Sequence, residues 1–205
     1  VRLAEMTVKS KGEDDEIFKL EFIAGGITST PEISILEAKK EIVKFAELTK
    51  KMHFKSQDLI NETDVKLRGK LMKKIIKYED ITDNLESEIA HYLGKVSISE
   101  LSDKSSIELR SMLSITSDLE RIGDIYMEIS KAVDKKIDAK LWFDQNQRDN
   151  LNKLFSEVEK GFEIMMKNLI GNYDDIKLDI AIKQEIAINE MRNEIRKKHL
   201  KSIEK

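Results

Sequence analysis

The sequence predicts an all-α fold, an antiparallel bundle of long helices, and three observations predict it. The chain has 205 residues, 37% of them charged and 40% hydrophobic. The charged share exceeds the usual quarter, and the mix suits helices with one apolar stripe and a solvated back. Eight Gly, a single Pro and few aromatics leave too few turn formers for a sandwich of short strands. From residue 31 onward, apolar side chains recur every three or four positions, the period of a helix face.

The first thirty residues read differently. Phe18-Lys19-Leu20-Glu21-Phe22 alternates apolar and polar, the two-residue period of a half-buried strand, and Gly25-Gly26 ends it. The acidic run from Gly12 to Glu16 before it reads as a solvated turn. Residues 1–30 are therefore expected to be a short extended or hairpin lead-in, pairing 18–22 with 1–8. Thr30-Pro31 marks a helix start, with Thr30 as N-cap and Pro31 where no backbone N–H is needed. Helices are then expected over about 31–60, 62–93, 98–134, 142–170 and 174–204. Gly94 and Gly171-Asn172 serve as breaks. Short connections make neighbours antiparallel.

A weak internal repeat organises these elements. Lys77-Tyr78-Glu79, Asp83, Leu85, Glu88 and Ile89 return 106 residues later as Lys183-Gln184-Glu185, Asn189, Met191, Glu194 and Ile195. Two three-helix units follow from it, 31–134 and 135–205, the second lacking its last helix. An incomplete unit leaves an apolar seam that favours a homodimer.

Composition also excludes partners and compartments. The net charge of −3 gives no footprint for nucleic acid. Lys and Glu interleave along the chain, so no polybasic membrane patch is expected. The absence of Cys removes disulfides and thiolate sites and suits a reducing compartment. No apolar run approaches the ~20 residues of a membrane-spanning helix, and no signal peptide is visible. A Val start is expected of a piece of a larger chain.

The carboxylates carry the chemistry. In the second helix Leu71, Ile75, Tyr78, Thr82, Leu85, Ile89 and Tyr92 form a heptad-like seam. The stripe one residue round reads Met72, Ile76, Glu79, Asp83, Glu86, Ala90, Leu93, acidic only in its middle. The third helix repeats the arrangement. Its seam is Met112, Ile115, Leu119, Ile122, Tyr126, Ile129 and Val133, flanked by Leu113, Ser117, Glu120, Asp124 and Met127. Gly123, between the two acids, opens room for a ligand or a close helix. Like charges four apart repel, and apolar neighbouring turns add desolvation. A multivalent cation would reverse the sign, because carboxylate oxygens are the hard ligands of Mg²⁺, Mn²⁺ and Ca²⁺ and also serve iron. The bland alternative is a solvated face: with 39 acids in 205 residues, about seven such pairs arise by chance. Position beside two seams, rather than number, singles these out.

At the same residues the sequence resembles a known family. Glu79-Asp80-Ile81-Thr82-Asp83 and Asp118-Leu119-Glu120-Arg121-Ile122-Gly123-Asp124 resemble the E(D)xxxD signatures of the PhoU family of phosphate-uptake regulators. The resemblance implies tandem three-helix units whose acidic motifs bind metal clusters. Carried over, these are Glu79, Asp83, Glu120 and Asp124, with Glu86 as a fifth, and the metal would be Mg, Mn, Zn or Fe. In the second copy Asn189 replaces the aspartate and Arg192 stands in the place of Glu86, so no equal second site is expected.

Residues 30–42, Thr30-Pro31-Glu32-Ile33-Ser34-Ile35-Leu36-Glu37-Ala38-Lys39-Lys40-Glu41-Ile42, are similar to the junction that follows the membrane part of bacterial sodium/phosphate cotransporters. This likeness implies a regulatory domain on the cytoplasmic face of the inner membrane, with the membrane domain of the same chain as partner and no insertion of its own. A free-standing regulator of a phosphate ABC transporter and its sensor kinase is the alternative within the family. A purely structural bundle is the alternative outside it. No enzyme is expected: His53, His91 and His199 make no Glu-x-x-His ligand set, and Gly25-Gly26 lacks the residues of a P-loop. Trp142 and Phe143 are expected to anchor packing where the units meet, and Met165, Met166 and Met191 to fill the core.

Overall fold

The computed structural model describes residues 19–27, 30–171 and 176–203. Five helices run through them: α1 Pro31–Asn61, α2 Val65–Val96, α3 Asp103–Asp138, α4 Gln145–Ile170 and α5 Leu178–Ile203. Among the described residues there is no strand. α1, α2 and α3 pack on one another, α4 lies against α1, and α5 against α4.

The helix ends follow local chemistry. α1 starts at Pro31 with Thr30 in extended backbone, although the Thr30 side chain makes no capping bond. The turn into α2 is closed by acids. Glu62 Oε1 accepts from the backbone N–H of Thr63 (2.8 Å) and Asp64 (2.7 Å). Asp64 then caps α2 by accepting from Lys66 and Leu67. α2 continues past Gly94 to Val96, two residues beyond the expected break; Gly94 has open space around it and no positive φ. Ser102 caps α3 by accepting from Ser105 N. A capping box of Asp144 and Gln147 opens α4 at Gln145, so Trp142 and Phe143 precede the helix rather than begin it. α4 ends at Ile170 before Gly171, as the break requires.

The core belongs to the first three helices. α1 buries side chains along its whole length, among them Ile42, Phe45, Met52 and Leu59, all fully enclosed. The expected α2 seam is buried from Ile75 to Tyr92, with Leu71 half-exposed at its start. The α3 seam is rotated from expectation. Met112, Leu119, Tyr126 and Val133 are buried, but the positions between them are Thr116, Gly123 and Ser130, while Ile115, Ile122 and Ile129 are half-buried. α4 buries only Phe155 and Phe162.

The lead-in differs from a strand. The N–H groups of Glu21 and Phe22 bond to Oε2 of the fully buried Glu41 (3.1 and 2.9 Å). Lys44 Nζ forms an ion pair with Glu41 Oε1 (3.3 Å) and donates to the Lys19 carbonyl (2.8 Å). Ile23 is buried against the bundle, and a turn closes with Gly26 N on Ile23 O at φ +83°. The donors a strand would offer a partner strand are thus taken by α1. The expected partner, residues 1–8, and Phe18 lie outside the described residues.

Candidate metal centre

The acids of α2 and α3 meet because the two helices approach closely at one place. A Cβ built on Gly123 would sit 3.1 Å from Thr82 Oγ1 and 3.6 Å from Met52 Sδ. Gly123 therefore permits a close helix contact, one of the two uses its missing side chain offered. Thr82 is fully buried there and its hydroxyl donates to the Glu79 carbonyl (2.8 Å). Residues flanking this contact, Asp83 beside Thr82 and Asp124 beside Gly123, are carried out to the same edge.

As a result, one carboxylate oxygen from each of Glu79, Asp83 and Asp124 lies within 4.8 Å of the others. Glu79 and Asp83 are one turn apart on α2, and Asp124 faces them from α3. Glu79 is half-buried, whereas Asp83 and Asp124 are exposed. Glu120, half-buried and one turn from Asp124, feels the charge of Asp124 and also those of Asp83 and Glu86. The antiparallel register thus runs Glu79, Asp83, Glu86 on α2 against Asp124, Glu120 on α3. Of the five expected residues, three converge as one acidic group, Glu120 adjoins it, and Glu86 neighbours Glu120.

Electrostatics records the crowding. Desolvation, and then the charges of Asp83 and Asp80, hold the Glu79 carboxyl above the usual carboxylate range. Desolvation followed by Asp124 and Asp80 does the same to Asp83. Glu120 is raised by desolvation and by Asp124. Each of these groups resists ionisation first because it is partly withdrawn from water and then because its neighbours are negative.

Two further residues belong to the picture. Asp80, inside the Glu79–Asp83 motif, acts on both Glu79 and Asp83. Lys131 is a cation beside the cluster; it pairs with Glu128 at 3.1 Å and also feels Glu79 and Asp124. Continuing the stripe Glu120, Asp124, Met127 by one more step of four reaches Lys131.

The donor set is all oxygen, with no His or Cys in the group. It fits hard cations such as Mg²⁺, Mn²⁺ or ferric iron, and it lacks the nitrogen or sulfur donors that Zn²⁺ favours. The histidines lie elsewhere: His91 and His199 are exposed, and His53 is fully buried. His53 Nδ1 and the Tyr126 hydroxyl are 2.7 Å apart, with Phe155 and Phe162 on its other sides. Its Nε2 has no hydrogen-bond partner, and burial lowers its pKa to about 4. The other expected anchor separates into two parts. Phe143 is half-buried under the Lys136 ammonium (4.8 Å), whereas Trp142 is 48% exposed. Met165 and Met166 pack partly buried on the core.

Among the described residues, no helix is long and apolar enough to cross a membrane. No curated protein and no solved structure matches the chain. Residues 42–133 match the family model of the PhoU domain, a stretch that begins within α1, ends within α3 and holds all five acids. The helices that build the acidic cluster are therefore a PhoU-like domain.

Proposed function

We propose that the chain is a metal-binding regulatory domain of a sodium/phosphate cotransporter, on the cytoplasmic face of the inner membrane, modulating phosphate uptake. The convergence of Glu79, Asp83 and Asp124 within 4.8 Å carries the metal part of this reading. The PhoU match over 42–133 supports a regulatory role in phosphate transport. The likeness of residues 30–42 to a cotransporter junction supports the parent protein.

Each side chain has a distinct part. Glu79 and Asp83 offer oxygens from successive turns of α2, and Asp124 closes the set from α3. Glu120 adds a further carboxylate one turn from Asp124 on the same helix. Gly123 and Thr82 fix how near the two helices stand. A bound hard cation supplies the positive charge that turns repulsion between α2 and α3 into attraction. Occupancy would then stiffen this face, which is how a cation-dependent signal could reach the transporter's membrane domain.

Chelator-stripped protein titrated with Mn²⁺, Mg²⁺ and Fe³⁺ by calorimetry tests the metal role, beside an Asp83→Asn/Asp124→Asn variant. Saturable uptake by the wild type, lost in the variant, is the expected result. Absence of uptake for all three ions sinks the metal reading. Phosphate uptake by cells carrying the full transporter, wild type against the same variant, tests the regulatory part; equal uptake under all phosphate supplies would refute it.

A further inference from the structure

The charges of α2 are divided, not interleaved. Lys66, Arg68, Lys70, Lys73, Lys74 and Lys77 occupy its first half without an acid among them. Averaging along the chain hides this run. Lys66, Lys70, Lys73 and Lys77 are spaced four, three and four apart, one stripe of the helix. Arg68 faces elsewhere: it bonds Asp134 (3.0 Å) and Asp138 (2.6 Å), which brings the first turn of α2 against the last turn of α3.

Beyond that last turn the chain doubles back. Lys140 takes a left-handed conformation (φ +57°), and the N–H groups of Lys140 and Leu141 close on the carbonyls of Ile137 and Lys136. Leu141 and Trp142 are thereby left 58% and 48% exposed. On the α2 side of the same end, Val65 is 67% and Leu67 48% exposed. The first turn of α2 and the α3–α4 turn thus hold apolar side chains out in water.

The acids of this end are already engaged. Asp58 pairs with Lys55, Asp134 and Asp138 with Arg68, and Asp64, Asp144 and Glu62 bind backbone N–H groups. Lys66, Lys70, Lys73, Lys135 and Lys140 have no ion pair among the described residues. We propose that this end of the bundle, formed by the start of α2 and the α3–α4 turn, docks on an anionic lipid bilayer. Lysines at the headgroup level attract anionic lipid, and Trp with aliphatic neighbours is the composition that settles at the interface. A deformable surface with an apolar interior accommodates both sets without shape matching. A free anion would answer the lysines and leave Leu141 and Trp142 in water. The surface lies at the opposite end of α1 from Pro31, and it is independent of the metal cluster.

Trp142 is the only tryptophan of the chain, so it reports its own docking. The 205-residue protein is mixed with phosphatidylglycerol/phosphatidylcholine vesicles or with phosphatidylcholine alone, and binding is followed by co-sedimentation and Trp emission. Binding with a blue shift on anionic vesicles only is expected, reversed at 1 M salt, where the Debye length is ~3 Å. Lys66→Gln/Lys70→Gln/Lys73→Gln should weaken partitioning about fivefold per lysine, roughly a hundredfold in all. Leu141→Ser/Trp142→Ser, read by sedimentation, should weaken it at least tenfold while the α2 lysines are untouched. Equal binding to both vesicle types, no binding to anionic vesicles at low salt, or unchanged binding by either variant with wild-type helicity overturns the proposal.

Discussion

Replacing Asp83 by Asn should move stability in opposite directions with and without metal. In chelator, Asp83 meets Asp124 across the helices with oxygens inside 4.8 Å and Glu79 one turn away. Two unit charges at that distance in water repel by about 0.9 kcal/mol, and an i,i+4 like-charge pair adds a few tenths. Asp83 is exposed, so screening reduces the sum to about 0.5–1 kcal/mol. The variant should therefore melt about 2 °C above the wild type. With Mn²⁺ at a hundred times its Kd, the wild type gains about 2.7 kcal/mol, roughly 5–10 °C. A variant that binds a hundredfold more weakly gains about 0.4 kcal/mol. Melting followed by circular dichroism, in EDTA and across an Mn²⁺ series, should give two curves that cross. Parallel curves would show that Asp83 is not a ligand. An Asn variant less stable than wild type in EDTA would refute the claim that the cluster is held against its own repulsion.

Three other outcomes follow from the packing. His53 is neutral in the fold, its pKa lowered to about 4 from 6.5 by burial. The unfolded chain binds the extra proton between those values, so stability falls as pH drops from about 6.5 to about 4, by about 3 kcal/mol in all. Urea midpoints of His53→Phe across that window should be flatter than wild type; an unchanged slope sinks the assignment. Gly123→Ala must press Thr82 Oγ1 from 3.1 Å; the helix-propensity gain of about 1 kcal/mol should leave stability nearly level while Mn²⁺ affinity falls, and calorimetry showing unaltered affinity would contradict it. Lys140→Gly, at φ +57°, should raise stability by about 0.5–1 kcal/mol; a loss in chemical denaturation would show that the left-handed turn costs nothing here.

Periodicity made the helices legible because five amphipathic stripes must each find a core. It identified the α2 seam because its members from Ile75 to Tyr92 are large and apolar, save Thr82. It misplaced half of the α3 seam for the converse reason. Thr116, Gly123 and Ser130 do not read as core, yet small residues are what let α3 approach α1 and α2: the Ser56 and Ser130 hydroxyls meet at 2.9 Å, and Gly123 lies on Thr82. The convergence of Glu79, Asp83 and Asp124 was within reach of spacing plus antiparallel pairing. The rank of Glu86 was not, since the register of two helices decides which acids face each other. The Glu41 clasp was out of reach altogether. A buried glutamate that binds two backbone N–H groups twenty residues away has no periodic signature, and it replaced the expected strand.

α2 joins the two charged regions, and its surface is arranged against its own stability. A helix gains from Glu and Lys four apart in alternation. α2 instead sets Lys66 against Lys70, Lys70 against Lys74 and Lys73 against Lys77, and then Glu79 against Asp83. Each like pair costs a few tenths of a kcal/mol. Lys131 relieves the acidic half only in part, since it is paired with Glu128. Arg68, in the basic half, is neutralised within the chain by Asp134 and Asp138. An opposite charge from outside would lower the like-charge repulsion on each half. A small hard cation fits the acidic half, where three oxygens converge on a point. An extended anionic surface fits the basic half, where lysines spread along a stripe beside exposed Val65, Leu67, Leu141 and Trp142. The geometry of each charge set thus selects a different kind of counter-charge, although both lie on one helix.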